Sequence, residues 1–410
     1  MANFETYLLV LGLLLGAGAL LSGIAHRSIL SLAIFFLFAG LVLGSQGFGV
    51  ISLQPDSQLV QRVIELTLIV ILFVDGLEAE ARALRRSWHV PFRPLVIAMP
   101  LTACFIAAAA VLLLGLSWRQ AFLLGALLSP TDPVLTSSVV SNHKTPLKIR
   151  NSLNLESGFN DGLALPAVLI FAATLQAGGD RIWWHSLAQD LAIGAATGLT
   201  GAFLAVKIVG WFRGRLALVP HYQTLYAFSV ALALYGAAKL LGGNGFISVY
   251  IAGIVMAGIA PGQAQTFSRF SREAGEILKL STFVIFGSLL VFSQLLADGA
   301  RALLLVAFVI FLARTLALLP SLLGTRLDWP ERFFMAWFGP KGVACIAYSL
   351  LVLSMKITGG ETVFRLTALV VFASIILHSA SDTPLANWFG SHSGRHVKVP
   401  HPSSSSPRTP

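Results

Sequence analysis

The chain has 410 residues, of which 56% are hydrophobic and only 11% are charged. Soluble domains carry about a quarter charged residues, so this composition excludes a soluble globular protein and indicates a polytopic membrane protein. The formal net charge of +10 would favour nucleic-acid binding in a soluble protein. Here the basic residues are interpreted as loop signals that set membrane topology, and no nucleic-acid partner is predicted.

The hydrophobic segments predict an all-α fold of about thirteen transmembrane helices, because about 20 apolar residues span a bilayer. The first segment lacks a basic stretch before it and is interpreted as a retained helix rather than a cleaved signal. Cys104 and Cys345 both lie in apolar segments, which predicts packing residues rather than a disulfide. The predicted helices cover residues 5–25, 28–46, 57–78, 93–115, 119–141, 151–176, 184–208, 222–242, 244–260, 274–296, 301–323, 331–354 and 361–386.

Lysine and arginine concentrate in alternate loops between these segments, with about eighteen on one side of the membrane and six on the other. Basic residues favour the cytoplasmic side. The N-terminus is therefore predicted outside and the C-terminus in the cytoplasm, in a multi-pass protein of the cell (inner) membrane. Residues 391–410 are rich in serine and proline and are predicted to form a disordered cytoplasmic tail.

The fifth predicted helix contains the sequence SPTDPV. Pro130 and Pro133 lack amide protons, so the carbonyls four residues before them lose their helical partners. Such carbonyls are tolerated in a membrane only where they face protein or a water-filled cavity. Together with the Thr131 hydroxyl and the Asp132 carboxylate they predict oxygen ligands for a small alkali cation. A proline kink with a helix-capping aspartate is the alternative.

The sixth predicted helix contains the sequence NLESGFNDGLALP. Ser157 and Asp161 are four residues apart and share one face, and Glu156 and Asn160 form a second stripe beside it. The helix therefore presents a hydroxyl, an amide and two carboxylates over about a turn and a half. This predicts an ion-binding surface, and a polar cluster that only holds helices together is the alternative.

Charged side chains within the membrane are costly, so each is a hypothesis about function. Arg314 on the eleventh helix is the predicted partner of Glu156, with Lys341 on the twelfth as second choice. Lys239 and Lys279 lie near predicted helix ends, where a long side chain can reach water. The remaining acidic candidates, all on the third helix, are Glu65, Asp75 and Glu78.

The twelfth predicted helix is also interrupted, because Pro340 lies between two glycines in the sequence FGPKG. Residues 1–390 are predicted to form one transmembrane domain, with a first repeat at about 5–176, a linker helix at about 184–208 and a second repeat at about 222–386. The fifth and twelfth helices then occupy the same place in two six-helix repeats of opposite orientation. Matching broken helices in inverted repeats indicate the substrate site of a transporter.

Five stretches, SPTDPV, ESGFNDG, FVDGLEAE, GFISVYIAG and FGPKG, resemble the monovalent cation:proton antiporters, specifically their first family of sodium–proton exchangers (NhaP-like). The resemblance runs from about residue 5 to 390. It implies an NhaA-like antiporter fold in which broken helices 5 and 12 cross and a six-helix core moves against a dimerisation domain. It also implies a homodimer, which membrane lipids are expected to surround. No enzyme activity and no cofactor are predicted, because the sequence shows no nucleophile–base pair, metal cluster or Gly-rich phosphate loop.

The resemblance also implies roles for residues of the two signature helices. Asp161 resembles the essential carboxylate that binds cation and proton alternately, and Asn160 is the preceding residue that marks the family. Thr131 and Asp132 resemble its partners on the unwound helix.

Three further roles follow from the same resemblance. Ser157 and Asp75 are implied as additional oxygen ligands, Asp75 through water, and Glu156 with Arg314 as a structural ion pair in the core. The predicted Na⁺ ligands are thus Asp161, Asp132, Thr131 and Ser157.

Two positions depart from the family pattern. Lys341, a possible core cation, stands where arginine is usual. Lysine is shorter and more readily titrated than arginine, so a weaker contact of the twelfth helix is expected. Thr315 follows Arg314 where proline is frequent, which removes a kink and keeps the charge.

These residues predict exchange of Na⁺ or Li⁺ for H⁺ by competition at one buried aspartate with alternating access. Because Asn160 cannot titrate, the predicted exchange is one-for-one and electroneutral. A K⁺/H⁺ antiporter on the same scaffold is the alternative. A passive cation channel is disfavoured, since channels usually line a pore by symmetry whereas this chain holds a complete site and repeated halves.

Overall fold

The computed structural model describes most of the chain, and the described part consists of helices and their connections without any strand. The described residues are 4–25, 31–83, 93–132, 147–176, 183–215, 219–325 and 327–392.

Two π-helical turns, Pro94–Ala98 and Phe308–Ala313, lie next to α-helices: the first leads into the helix Met99–Leu114, and the second connects Gly299–Ala307 with Arg314–Ser321. The helices are α1 (Phe4–Ala25), α2 (Leu32–Leu43), α3 (Gln58–Ala83), α4 (Met99–Leu114), α5 (Trp118–Leu128), α6 (Leu147–Ala173), α7 (Trp183–Arg215), α8 (Pro220–Leu240), α9 (Gly245–Ile259), α10 (Pro261–Leu289), α11 (Phe292–Leu295), α12 (Gly299–Ala307), α13 (Arg314–Ser321), α14 (Trp329–Trp337), α15 (Val343–Ser354) and α16 (Gly360–His392).

Helical segments that can cross a membrane occur along the whole described chain. Five are long and apolar enough by length and composition. The predicted all-α membrane fold is confirmed, and the count of about thirteen crossings stays a prediction. The five segments are Glu5–Gly23, Pro94–Leu114, Trp184–Phe212, Gly299–Ser321 and Gly360–Asp382.

The tenth predicted segment differs from the helix observed. It was expected at 274–296, whereas α10 starts at Pro261 and ends at Leu289. Its first half carries exposed charged residues such as Arg269 and Glu273, which approach to 3.8 Å one turn apart. Such a charged stretch is too polar to be predicted as part of a membrane helix. Lys279 therefore lies well inside α10, and the prediction that it sits near a helix end is wrong.

Helices α3 and α9 approach closely because glycines face each other. A Cβ atom at Gly76 would lie 2.5 Å from the Tyr250 carbonyl oxygen, and one at Gly253 would lie 2.5 Å from the Phe73 carbonyl oxygen. Small residues let membrane helices pack backbone to backbone. This contact fixes the part of α3 that carries Asp75, the residue before Gly76.

The two interrupted helices meet at their breaks. Helix α5, the start of the predicted fifth helix, ends at Leu128, and the predicted twelfth helix is unwound between α14 and α15. We call these two segments the fifth and twelfth crossings. The Asp132 amide donates to the Pro340 carbonyl at 2.9 Å, which joins the unwound segments 129–132 and 338–342 directly. The continuation of the fifth crossing, including Pro133, lies outside the described residues.

Candidate cation site

Asp132 caps the second half of the twelfth crossing. Its Oδ2 accepts a hydrogen bond from the Val343 amide at 2.9 Å, and Val343 is the first residue of α15. A carboxylate is favourable at a helix N-terminus because the unpaired amides carry partial positive charge. The aspartate does cap a helix, as the alternative interpretation of this segment held, but it caps α15 across the break rather than its own helix.

Gly342 makes room for this carboxylate. A Cβ atom at position 342 would overlap the Asp132 side chain, which is itself buried. The residue has a negative φ of −139°, so the need for glycine here is steric and does not come from backbone strain.

We expect Gly342→Ala to reduce transport strongly while the protein still folds. Overpacking costs about 1–3 kcal/mol, and a misplaced carboxylate lowers the rate of cation binding and release by about tenfold or more. Gly236→Ala is the matched control, because a Cβ atom there meets nothing within 4 Å. Exchange rates in proteoliposomes check this, and equal rates for the two variants would contradict it.

Asn160 joins α6 to the unwound segment of the fifth crossing. Its Nδ2 donates to the Thr131 carbonyl at 2.9 Å and to the Thr131 hydroxyl at 2.8 Å. Both residues are buried. Its Oδ1 is buried as well and has no hydrogen-bond partner in the part of the chain that the structure describes, so this amide oxygen is available as a ligand.

Asp161 occupies the next position of α6 and is 7% exposed. Its Oδ1 is buried without a hydrogen-bond partner among the described residues. The Tyr348 hydroxyl, from α15, donates to the Asp161 backbone carbonyl at 2.9 Å and so fixes the helix at this point. A buried ionised carboxylate without a donor is costly, so this oxygen favours a bound proton or cation.

The surroundings of Asp161 are strongly charged. Its carboxylate interacts electrostatically with those of Asp75 and Asp132, and with the ammonium of Lys279 on α10. Asp75 is partly buried on α3. Ser157, the remaining predicted ligand, lies on α6, but its side chain is outside the described part of the structure. The structure thus brings Asp75, Asp132 and Asp161 into one region.

Glu156 and Arg314 form a bidentate ion pair beside the site. Arg314 Nη1 lies 2.5 Å from Glu156 Oε1, and Nη2 lies 3.0 Å from Oε2. Both side chains are buried. Nη2 also donates to the Met335 carbonyl at 3.3 Å, so the arginine links α6 and α14. A Cβ atom at Gly339 would overlap the guanidinium, which explains a glycine there.

A π-helical turn ends directly before Arg314. The Thr315 hydroxyl donates to the Phe311 carbonyl within this turn at 2.9 Å. Threonine therefore gives the Phe311 carbonyl a side-chain donor that proline, which has no hydroxyl, would not supply.

The Lys341 ammonium donates to backbone carbonyls at the proline break of the fifth crossing. Its Nζ lies 3.2 Å from the Pro130 carbonyl oxygen and 3.4 Å from that of Ser129, and the Ser129 hydroxyl donates to the Ala126 carbonyl at 3.1 Å. The carbonyls expected to face the cation thus already have protein donors. Lys341 does not pair with Glu156, which binds Arg314.

The other intramembrane acids link helices elsewhere. Glu65 pairs with Arg62 at 2.7 Å and accepts a hydrogen bond from the Tyr235 hydroxyl. Glu78 pairs with Arg272 at 2.7 Å.

Comparison with known proteins identifies the family. The model of the family described as "Sodium/hydrogen exchanger, transmembrane" matches residues 14–388. The chain belongs to the sodium/hydrogen exchanger family. As a member of this cation/proton antiporter family it is a multi-pass membrane transporter rather than an enzyme, and the family needs no cofactor.

Relatives of this chain include proteins named for potassium. It is 26% identical over 386 residues to the K⁺/H⁺ antiporter NhaP of Alkalimonas amylolytica, covering 93% of this chain and 66% of the relative. It is 25% identical over 389 residues to the K⁺/H⁺ antiporter NhaP2 of Shewanella sp. (strain ANA-3), covering 94% and 67%. The exchanger chain spans about two thirds of the length of these relatives.

A solved structure shares the fold. The sodium proton antiporter MjNhaP1 from Methanocaldococcus jannaschii matches with a TM-score of 0.75 at 21% identity, covering 94% of this chain and 99% of that one. The expected NhaA-like fold of this exchanger is thereby confirmed.

Proposed function

We propose that the chain exchanges Na⁺ or Li⁺ for H⁺ by competition at Asp161. The observation that carries this proposal is the buried Oδ1 of that residue, which has no hydrogen-bond partner among the described residues and lies near two other carboxylates.

The mechanism follows from the cost of burying charge. An ionised carboxylate away from water is unfavourable until something neutralises it, and a proton or a small cation can each do so. Since both bind the same oxygen, one excludes the other. If the site crosses between the two sides of the membrane only when neutralised, each crossing carries one kind of ion, and exchange needs no ATP.

The ligands we propose are oxygen atoms, which hard cations prefer. Asp161 Oδ1 and Asn160 Oδ1 are both buried without a partner in the described part of the chain. The Thr131 hydroxyl lies 2.8 Å from Asn160 Nδ2, and the neighbouring Asp132 on the same unwound segment acts on Asp161 through its charge. Ser157, and Asp75 through water, complete the set that we propose.

We expect one-for-one, electroneutral exchange. Asn160 has no titratable proton, so a single carboxylate of the Asn160–Asp161 pair cycles between its two ligands. The rate of exchange in proteoliposomes should then be the same at zero and at imposed membrane potential. A rate that changes steeply with potential would contradict this stoichiometry.

Potassium is the second candidate, because the relatives from Alkalimonas and Shewanella are named K⁺/H⁺ antiporters, whereas the matching structure is named a sodium proton antiporter. Small cations gain most from carboxylate oxygens, so we expect pH-gradient dissipation at lower concentrations of Na⁺ or Li⁺ than of K⁺. The test titrates the three ions in turn into the same vesicles. Half-maximal dissipation at a lower K⁺ concentration would establish the alternative.

We further propose a homodimer in the cell (inner) membrane with the N-terminus outside and the C-terminus cytoplasmic. The exposure of helix α1 supports the proposed dimer, because only 6% of its membrane-spanning part is buried within the chain. This leaves an apolar face for a partner copy or for lipid.

A further inference from the structure

Helix α16 carries a polar stripe inside an apolar membrane segment. Ser374, His378 and Ser381 are four and three residues apart, so they lie on one face of the helix. Ser374 and His378 are buried. All three contact the twelfth crossing at its break, and none belongs to the cation site described above.

One end of the break is held by two of these residues. His378 Nε2 lies 3.1 Å from the Trp337 carbonyl oxygen, at the last residue of α14. Because a carbonyl only accepts, Nε2 carries a proton in this contact. The Trp337 indole donates to the Ser381 hydroxyl at 3.1 Å, so the same residue is held by its backbone and by its side chain.

The other end of the break is held by Ser374. The Lys341 amide donates to its hydroxyl oxygen at 2.8 Å. His378 Nδ1 lies 3.1 Å from this hydroxyl and 2.9 Å from the Ser374 carbonyl. A carbonyl oxygen only accepts, so Nδ1 donates to the Ser374 carbonyl when it is protonated and accepts from the hydroxyl when it is not. A chain of polar contacts thus runs from the Lys341 amide through Ser374 and His378 to the Trp337 carbonyl.

This chain matters because the backbone between its ends is not helical. The Trp337 carbonyl and the Lys341 amide are groups that unwinding releases, and such groups need partners inside a membrane. The Trp337 carbonyl accepts from the Gly339 amide at 2.8 Å within the unwound segment, and His378 adds the contact that ties it to α16. The segment between them presents the Pro340 carbonyl to the Asp132 amide, and it leads into the Val343 amide that binds the Asp132 carboxylate. The position of Asp132 therefore depends on how firmly this segment is held.

We propose that His378, acting with Ser374, is a positioning residue for the transport site. Its Nε2 holds the Trp337 end of the unwound segment 338–342 and the Ser374 hydroxyl holds the Lys341 end, so the two residues together set where Asp132 and Lys341 lie. The proposal rests on the function proposed above, because its effect is read in cation affinity.

Three substitutions separate the contacts of the ring. In His378→Gln the side-chain amide nitrogen reaches the position of Nε2 and keeps the bond to Trp337. In His378→Asn the amide is too short to reach Trp337, and His378→Leu keeps only the volume. His185→Leu is the matched control, since His185 is exposed at the start of α7.

Cation titrations of exchange in proteoliposomes measure the effect. The loss of one hydrogen bond at a buried group shifts an equilibrium by up to about tenfold. We therefore expect His378→Leu and His378→Asn to raise the apparent KM for the cation by about tenfold. His378→Gln and His185→Leu should stay within about twofold of the unmodified protein. Hydrogen exchange of the backbone amides of residues 338–339 and 341–343 should accelerate in His378→Leu and His378→Asn only.

A KM and amide exchange in His378→Leu equal to those of the unmodified protein would overturn the proposal. A His378→Gln protein as impaired as His378→Asn would also overturn it. If His378→Leu does not fold, the comparison of Gln with Asn decides. If the unmodified protein shows no cation/proton exchange, the proposed function fails instead, and amide exchange still tests the positioning role.

Discussion

Asp161→Asn is expected to abolish exchange and to leave a folded protein. The amide has nearly the same shape as the carboxyl group, but it neither takes up a proton at neutral pH nor attracts a cation by charge. Asp161 is buried on α6 with an oxygen that has no partner in the described residues, so the substitution removes a charge that the fold does not use.

Dissipation of a pH gradient in proteoliposomes measures this result, with size-exclusion profiles and melting temperatures to establish folding. Asp56→Asn is the control, because Asp56 is an exposed acid in the connection before α3. Full transport by the Asp161→Asn protein would contradict the assignment.

Asp132→Asn should also abolish exchange, and this variant separates the charge of Asp132 from its role as the cap of α15. An asparagine oxygen can still accept from the Val343 amide, the bond that Asp132 Oδ2 makes at 2.9 Å. The cap of α15 is then kept while the charge is lost. An inactive but equally stable variant would show that the charge is required for transport and the cap is not sufficient.

Breaking the Glu156–Arg314 pair is expected to have the largest effect on stability. Either Glu156→Ala or Arg314→Ala leaves an uncompensated charge in the bundle, which costs about 3–5 kcal/mol. The bidentate geometry, with distances of 2.5 and 3.0 Å, and the burial of both side chains place this pair in that range. The free energy of unfolding in detergent micelles measures the effect.

The exposed pair Arg269–Glu273 provides the matched control. Its side chains are 80% and 69% exposed, so Glu273→Ala should cost under about 1 kcal/mol. The double variant Glu156→Ala/Arg314→Ala should be less destabilised than the two single losses added together, because no charge is left alone. Equal costs at the buried and the exposed pair would contradict a structural role for Glu156 and Arg314.

Much of the fold and part of the site could be predicted from the sequence, because charges and prolines are rare inside membrane helices. The breaks at Pro130 and Pro340 follow from the missing amide of proline, and the observed unwound segments lie at both. Helical spacing alone places Glu156 and Asn160 on one face of α6. Which helices these residues contact could not be derived from spacing, because it depends on how the broken helices cross.

The features missed are those that only the crossing creates. Tyr348 and His378 look like ordinary residues of apolar helices, and their partners are backbone carbonyls on other helices. The bonds from Lys341 to the freed carbonyls of the fifth crossing join residues more than two hundred positions apart. Lys279 was misplaced because the charged first half of α10 does not register as a membrane segment.

The central claim is that one buried carboxylate holds either a proton or a cation, and calorimetry of Na⁺ binding in buffers of different ionisation enthalpy tests it most directly. The purified protein should release one proton for each Na⁺ bound near neutral pH, and the Asp161→Asn protein should release none. Binding of Na⁺ without proton release, or equal release by both proteins, would contradict the claim.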